Sequence, residues 1–249
     1  MKALLSSTYF GPIQWYQKLN RYDECLIERH ESFIKQTYRN RMIIPTTNGP
    51  LSLTIPTNHN TSLAMKDIRI SDHANWRHVH WNALLSAYGE SPFFEYYQDD
   101  IRPFFEKKYE FLFDFNMETT EKMIELLDIR PKISITEEYF LSEERKVKSE
   151  ESEERRVKSE ETTFGGQGES QFDSIADHKV QSSNLKVQSK EVQSIVDFRD
   201  AIRPKKPLPD AEFVPKRYYQ VYEQKHGFQP NMSILDLLFN EGNEAIFYL

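Results

Sequence analysis

Between about Leu141 and Ile195 the chain loses the means to build a core, and this interruption limits what the rest can fold into. Arg145-Lys146-Val147-Lys148-Ser149-Glu150-Glu151 recurs ten residues on as Arg155-Arg156-Val157-Lys158-Ser159-Glu160-Glu161, and Val-Gln-Ser recurs at 180–182, 187–189 and 192–194. These periods are far below the roughly 20 to 50 residues of stacked repeats. Only ten apolar residues fall between Ser142 and Ser194, too few to offset the entropy of ordering, so a disordered low-complexity insert is expected at 141–195. About 195 residues remain, enough for one core and too few for two large domains. The expected organisation is one domain in two parts, 1–140 and 196–249, with the insert's ends near Phe140 and Val196 close together on the surface.

The flanks carry the patterns of an α/β fold. Leu4-Leu5 and Glu24-Cys25-Leu26-Ile27 read as strands on either side of an amphipathic segment, Ile13 to Tyr22, and Gly11-Pro12 suits the start of that helix. This is a βαβ-like N-terminal unit. Arg41 to Ile44 and Leu51 to Ile55 flank Asn48-Gly49 and read as a hairpin with a somewhat lengthened loop; Lys66 to Ile70 adds another strand. A helix capped by Asp72 or Asn75 runs to Tyr88 and stops at Gly89, and Pro92 to Asp128 supplies two or three more. Ser233 caps a short apolar helix that ends near Gly242. The fold class expected is therefore a single α/β domain with a mixed sheet and several packed helices.

Charge and composition exclude several functions. A net charge of −7, with cations spread among acids, gives no footprint for nucleic acid. No stretch approaches the roughly 18 apolar residues of a membrane helix, and the apolar run after Met1 is too short for a signal peptide, so no membrane insertion and a cytoplasmic location are expected. The single cysteine, Cys25, belongs to no metal-type pair and reads as a small buried hydrophobe on a strand.

Two clusters can carry chemistry. His73, Arg77 and His80, spaced i, i+4, i+7, form a stripe from the start of the helix after Asp72, where free N–H groups favour a phosphate or carboxylate. Both faces of that helix carry bulk, which predicts that it is sandwiched. Structural histidines and a structural Arg77 ion pair are the competing reading, and the spacings make no zinc set. The second cluster is Glu28-Arg29-His30-Glu31 with Lys35, Arg39, Asn40 and Arg41 after it. Ligands collect beyond the carboxyl ends of strands in open α/β sheets, which brings Ser7, Thr8 and Tyr9 close to Glu28 and His30. His30 can then act as a general base, while Lys35, Arg39 and Arg41 hold an anion. A solvated loop with a structural Asn40 is the rival. No Walker A loop, G-x-G-x-x-G, nucleophile elbow or H-E-x-x-H is present, and the cofactor, if any, is unknown.

Tyr9, Asp23, Lys35-Gln36-Thr37-Tyr38-Arg39-Asn40-Arg41, Leu53-Thr54-Ile55-Pro56, and Trp76, Arg77, His80, Tyr88, Pro92, Phe93 and Phe94 agree in order and spacing with one pattern. In these features the chain resembles the WbqC-like family, over about residues 3–135 and again from Phe198 to Leu249. It departs from the family where His-Gln-Pro is replaced by Leu5-Ser6-Ser7, and where the second Asp of an acidic pair is replaced by His30. The resemblance implies a link to surface-polysaccharide biosynthesis and a transferase role, such as attaching an amino-acyl group to a sugar.

The expectation is thus a transferase-like enzyme that takes a small anionic, nucleotide- or phosphate-linked donor. His30, His80 and His73 are its acid–base candidates; Arg39, Arg41, Arg77, Lys35, Asn40 and Tyr9 are its ligand-binding candidates. The alternative is a non-catalytic binding or assembly protein whose aromatic-rich segment Phe93 to Phe115 meets a partner. Oligomeric state is left open by both.

Overall fold

The computed structural model describes residues 1–58, 63–141 and 194–249; the body of the expected insert lies outside the described residues. Residues 1–140 and 194–249 make one compact unit. Strand β1 (Lys2–Ser6), helix α1 (Ile13–Arg21) and strand β2 (Glu24–Glu28) open the chain. The strands pair in parallel from Lys2↔Glu24 to Ser6↔Glu28, which is the expected βαβ-like unit. Ala3, Leu4, Leu5, Cys25 and Ile27 are wholly buried, the near-continuous apolar run of a parallel strand covered on both faces. Burial pushes the Cys25 thiol up to about 12, so it stays protonated. Gly11 is required by close packing, because a Cβ there would sit 2.3 Å from the Thr8 hydroxyl oxygen.

The hairpin pairs β3 (Arg41–Thr46) with β4 (Gly49–Thr54). Its connection is the two residues Thr47 and Asn48, tighter than the lengthened loop expected, and Gly49 accepts a φ of +97° that a side chain would resist. Strands β5 (Thr57–Asn58) and β6 (Arg69–Ile70) make a second antiparallel pair. Lys66 and Asp67 instead lie in a 3-10 turn, which shortens the strand predicted there.

Helix α2 (Trp76–Tyr88) follows a turn in which Ala74 and Asn75 take positive φ values of 63° and 47°. That kink breaks the expected His73–Arg77–His80 stripe, because His73 precedes the helix instead of lying on it. Neither Asp72 nor Asn75 caps α2 with its side chain. Trp76, His80, Leu84, Ala87 and Tyr88 are buried, while Val79 is 53% and Leu85 39% exposed. The helix therefore buries one face and is not sandwiched. Helices α3 (Phe94–Ile101) and α4 (Leu112–Leu126) follow, with a 3-10 turn at Arg102–Phe105 between them. Phe94, Tyr97, Phe104, Phe105, Phe113 and Phe115 all turn into the core; Phe93 and Tyr96 remain exposed.

Among the described residues the remaining elements are β7 (Ile133–Ile135), β8 (Ile195–Asp197), the single turn α5 (Glu223–His226), α6 (Ile234–Glu241) and a closing 3-10 helix (Gly242–Tyr248). Ser233 caps α6 as its position predicts, accepting from the Leu235 amide at 3.4 Å. The main sheet has the order β7-β2-β1-β8, and every pairing in it is parallel. The α/β class stands, with the antiparallel pairings held in separate two-stranded sheets instead of one mixed sheet.

This topology corrects one expectation. The Lys2 amide donates to the Ser194 carbonyl at 3.1 Å, at the amino edge of the sheet. The Phe140 amide donates to Glu28 Oε2 at 2.7 Å, at the carboxyl edge. Parallel strands need a connection that returns along their length, so Phe140 and Ser194 lie at opposite edges. Among the described residues no helix is long and apolar enough to cross a membrane.

Candidate functional site

From β1 the chain steps to β2 and β7 on one side, then comes back to place β8 on the other. The strand order thus reverses between β1 and β8, and in open α/β sheets the crevice outside the carboxyl ends at such a reversal is where ligands bind. Ser6, Ser7 and Thr8 leave β1 there, Glu28 and His30 leave β2, and Phe198 and Arg199 leave β8. The Ser6↔Glu28 register brings the first two groups side by side, as the strand-end argument predicts.

The edge holds a buried ionic network. Arg39 is paired with Glu31 through Nε–Oε1 at 2.8 Å and Nη2–Oε2 at 2.5 Å, and it also donates to Thr37 Oγ1 at 3.2 Å and Ser6 Oγ at 2.9 Å. Every guanidinium nitrogen is engaged, so Arg39 shapes the edge and has no free donor nitrogen for an incoming anion. Arg199 forks onto Asp197, with Nε–Oδ1 at 2.9 Å and Nη2–Oδ2 at 2.7 Å; its Nη1 lies 3.6 Å from Glu28 Oε2. Glu28 in turn accepts from the His30 amide, the Thr136 hydroxyl and the Phe140 amide. A crevice of about 10 Å³ opens among these groups, lined by Ser6, Thr8, Trp15, Arg39, Phe198 and Arg199.

Sequence reasoning missed Arg199 and Asp197 as members of this site; Glu31 stood in the second cluster, but without its pairing to Arg39. The signal available was the β-branched pair Ile195-Val196 followed by alternating charges, at the point where the polar repeats end.

The other predicted residues divide by burial. The Tyr9 hydroxyl lies 2.9 Å from His80 Nδ1, and both side chains are buried. Burial lowers the His80 imidazole to about 4 despite a bond to the Thr54 backbone. A neutral ring that accepts from Tyr9 at Nδ1 leaves Nε2–H for the Thr54 carbonyl. His80 is therefore uncharged at neutral pH and braces Tyr9, a different task from assisting an anion. Asn40 donates to the Ile55 carbonyl at 2.9 Å, the structural part its rival reading gave it. Arg41 donates to Thr54 Oγ1 at 3.0 Å. His30 is half-buried with its Nε2 3.2 Å from Arg29 Nε, and Lys35 and His73 are exposed.

A larger cleft, of about 460 Å³, opens beside the start of α2. Arg77, Arg102 and Lys108 line it with Asp72 and Glu106, and Trp81 and Phe105 give it an aromatic wall. Arg77 lies over the Trp76 ring, 4.6 Å from its centroid, and pairs with Asp72 at 2.5 Å. Its Nη2 is buried without a partner. The Lys108 ammonium, then Arg77, hold the Asp72 carboxyl below its usual range. Tyr9 links the two regions, since its ring meets Trp76 edge-on at 6.5 Å. Of the expected anion-binding residues, only Arg77 lines this cleft. Among the described residues no three His, Cys, Asp or Glu side chains are grouped to hold a metal ion.

The fold and site define an α/β protein whose parallel sheet carries a buried acid–guanidinium network at its switch point and a cationic cleft beside it. The chain belongs to the WbqC-like protein family, whose model matches residues 7–194 and 209–248. The match breaks at 195–208, not over the polar repeats. A relative from Mycobacterium tuberculosis (strain ATCC 25618 / H37Rv), uncharacterized protein Rv1507c, is 25% identical over 253 residues, covering 99% of this chain and 96% of its own. No solved structure matches the chain.

Proposed function

We propose that the protein is a cytoplasmic transferase that takes a phosphate- or nucleotide-linked donor and acts in surface-polysaccharide biosynthesis, moving an amino-acyl or similar group. The observation that carries the reading is the cleft beside α2. Its size falls within the roughly 300–1,000 Å³ of small-molecule sites, and it sets three cations against two carboxylates. Arg77 keeps a buried donor nitrogen without a partner. In this reading Arg77, Arg102 and Lys108 hold the phosphates, and Trp81 and Phe105 flank the attached group. His30, at the carboxyl end of β2, is the base; Arg41 and Lys35 add positive potential, while Tyr9, Asn40 and Arg39 keep the loops in place. Burial of most aromatics in the Phe93 to Phe115 segment speaks against the alternative of a non-catalytic docking surface.

Equilibrium titration with uridine and adenosine diphosphates tests this reading. Arg77→Ala and Lys108→Ala should each weaken binding about tenfold or more, as loss of a charge-assisted hydrogen bond implies. A wild-type protein that binds neither nucleotide nor inorganic pyrophosphate would defeat it.

A further inference from the structure

The crevice at the switch point contains two polar groups without a hydrogen bond: a hydroxyl that can donate or accept, and a guanidinium nitrogen whose ion-pair partner, Glu28, lies at 3.6 Å, beyond hydrogen-bond length. Thr8 Oγ1 and Arg199 Nη1 are buried without a hydrogen-bond partner, and both line the crevice between the carboxyl ends of β1 and β8. The Arg199 side chain is fully buried, and Thr8 is 2% exposed. Buried donors left unpaired are costly, so groups held this way call for an acceptor. The neighbouring acceptors are already served: Glu31 by Arg39, Asp197 by Arg199, and Glu28 by two amides and a hydroxyl.

We infer that this crevice receives the carbonyl oxygen of a neutral acyl compound, such as an amide, ester or thioester. Three considerations select that chemistry. The space of about 10 Å³ admits one oxygen-sized group. The surrounding network of Glu28, Glu31, Asp197, Arg39 and Arg199 carries three carboxylates and two guanidiniums, so it disfavours a phosphate dianion. Leu5, Trp15, Phe198 and Ile202 line the same narrow space, so only the carbonyl oxygen enters it, and these apolar neighbours favour an uncharged group. Gly11 preserves the arrangement, because a Cβ at that position would collide with the Thr8 hydroxyl. The inference does not depend on the nucleotide cleft, which involves neither Thr8 nor Arg199.

NMR titration of the full chain with acetamide, acetate and inorganic phosphate, following the Thr8 amide and the Arg199 side chain, tests it. Acetamide should shift both signals in a saturable way. Thr8→Val, which keeps the side-chain shape and removes the hydroxyl, should weaken that response about threefold to tenfold, the worth of one neutral hydrogen bond. Thr8→Ser should retain the response, which keeps the test decisive should the valine variant not fold. The inference fails if acetamide produces no saturable shift, leaving only an ordered water. A response to phosphate or acetate alone, or an undiminished acetamide response in Thr8→Val, overturns it equally.

Discussion

Arg39 and Glu31 meet as a two-pronged ion pair with both side chains almost wholly buried, at 2% and 3% exposure. Such a pair is costly to break on one side only, because the survivor is left as an uncompensated charge in a low-dielectric setting. Glu31→Ala should therefore destabilise the fold by about 3–5 kcal/mol in urea unfolding. The double variant Glu31→Leu/Arg39→Met should lose less than Glu31→Ala. A single-variant loss below about 1 kcal/mol, the range of exposed pairs, would show that the pair is solvated in solution.

Acid sensitivity should arise from two buried groups that oppose one another. His80 is lowered to about 4, so the stability it contributes is complete above about 6.5 and is lost as pH falls toward 4. Asp236, buried beneath Tyr218 and Gln220, is raised by desolvation to about 6. Its contribution is complete below about 4 and is lost as pH rises through 6. Each is worth on the order of 3 kcal/mol. His80→Gln should make the protein gain stability between pH 6 and 4 relative to wild type, and Asp236→Asn should make it lose stability there. Denaturant midpoints at pH 7 and 4.5 provide the comparison; two variants that both track the wild-type curve would contradict the assignment.

The opposite-edge positions of Phe140 and Ser194 set a length requirement for replacing residues 142–193. Phe140 is bonded both to Glu28 and, through its carbonyl, to Arg199 beyond β8, so a joint must chiefly travel the length of the parallel strands back to Ser194, about 3.3 Å per residue. A Gly/Ser connection of a dozen residues should preserve cooperative unfolding, whereas a two-residue joint should abolish it. Equal stability of the two forms would argue against the β1–β8 pairing.

Local pattern made much of this fold legible. The βαβ opening followed from two apolar runs around an amphipathic segment, and the Ser233 cap and the Asn48-Gly49 turn are side-chain and backbone effects confined to a few residues. The three-residue strands β7 and β8 were hidden because their identity comes from partners far away in the sequence. Missing β8 also hid Arg199, and with it the switch point. The His73–Arg77–His80 stripe misled for a conformational reason: helical spacing assumes a continuous helix, and Ala74 and Asn75 turn left-handed between its first two members. The strand-end argument did place the residues leaving β1 near Glu28, where Ser6 lies beside it, but only long-range pairing revealed that Arg39 is consumed by Glu31.

The pairing of β8 with β1 also dictates an order of assembly. During synthesis β1 and β2 emerge early, yet the outer edge of β1 has no neighbour until residues beyond 193 leave the ribosome. Until then Ala3 and Leu4 lie on an open parallel edge able to recruit another nascent chain. A transcript cut short before codon 194 should therefore yield an aggregating product, and Arg199 enters the switch point only at that final closure.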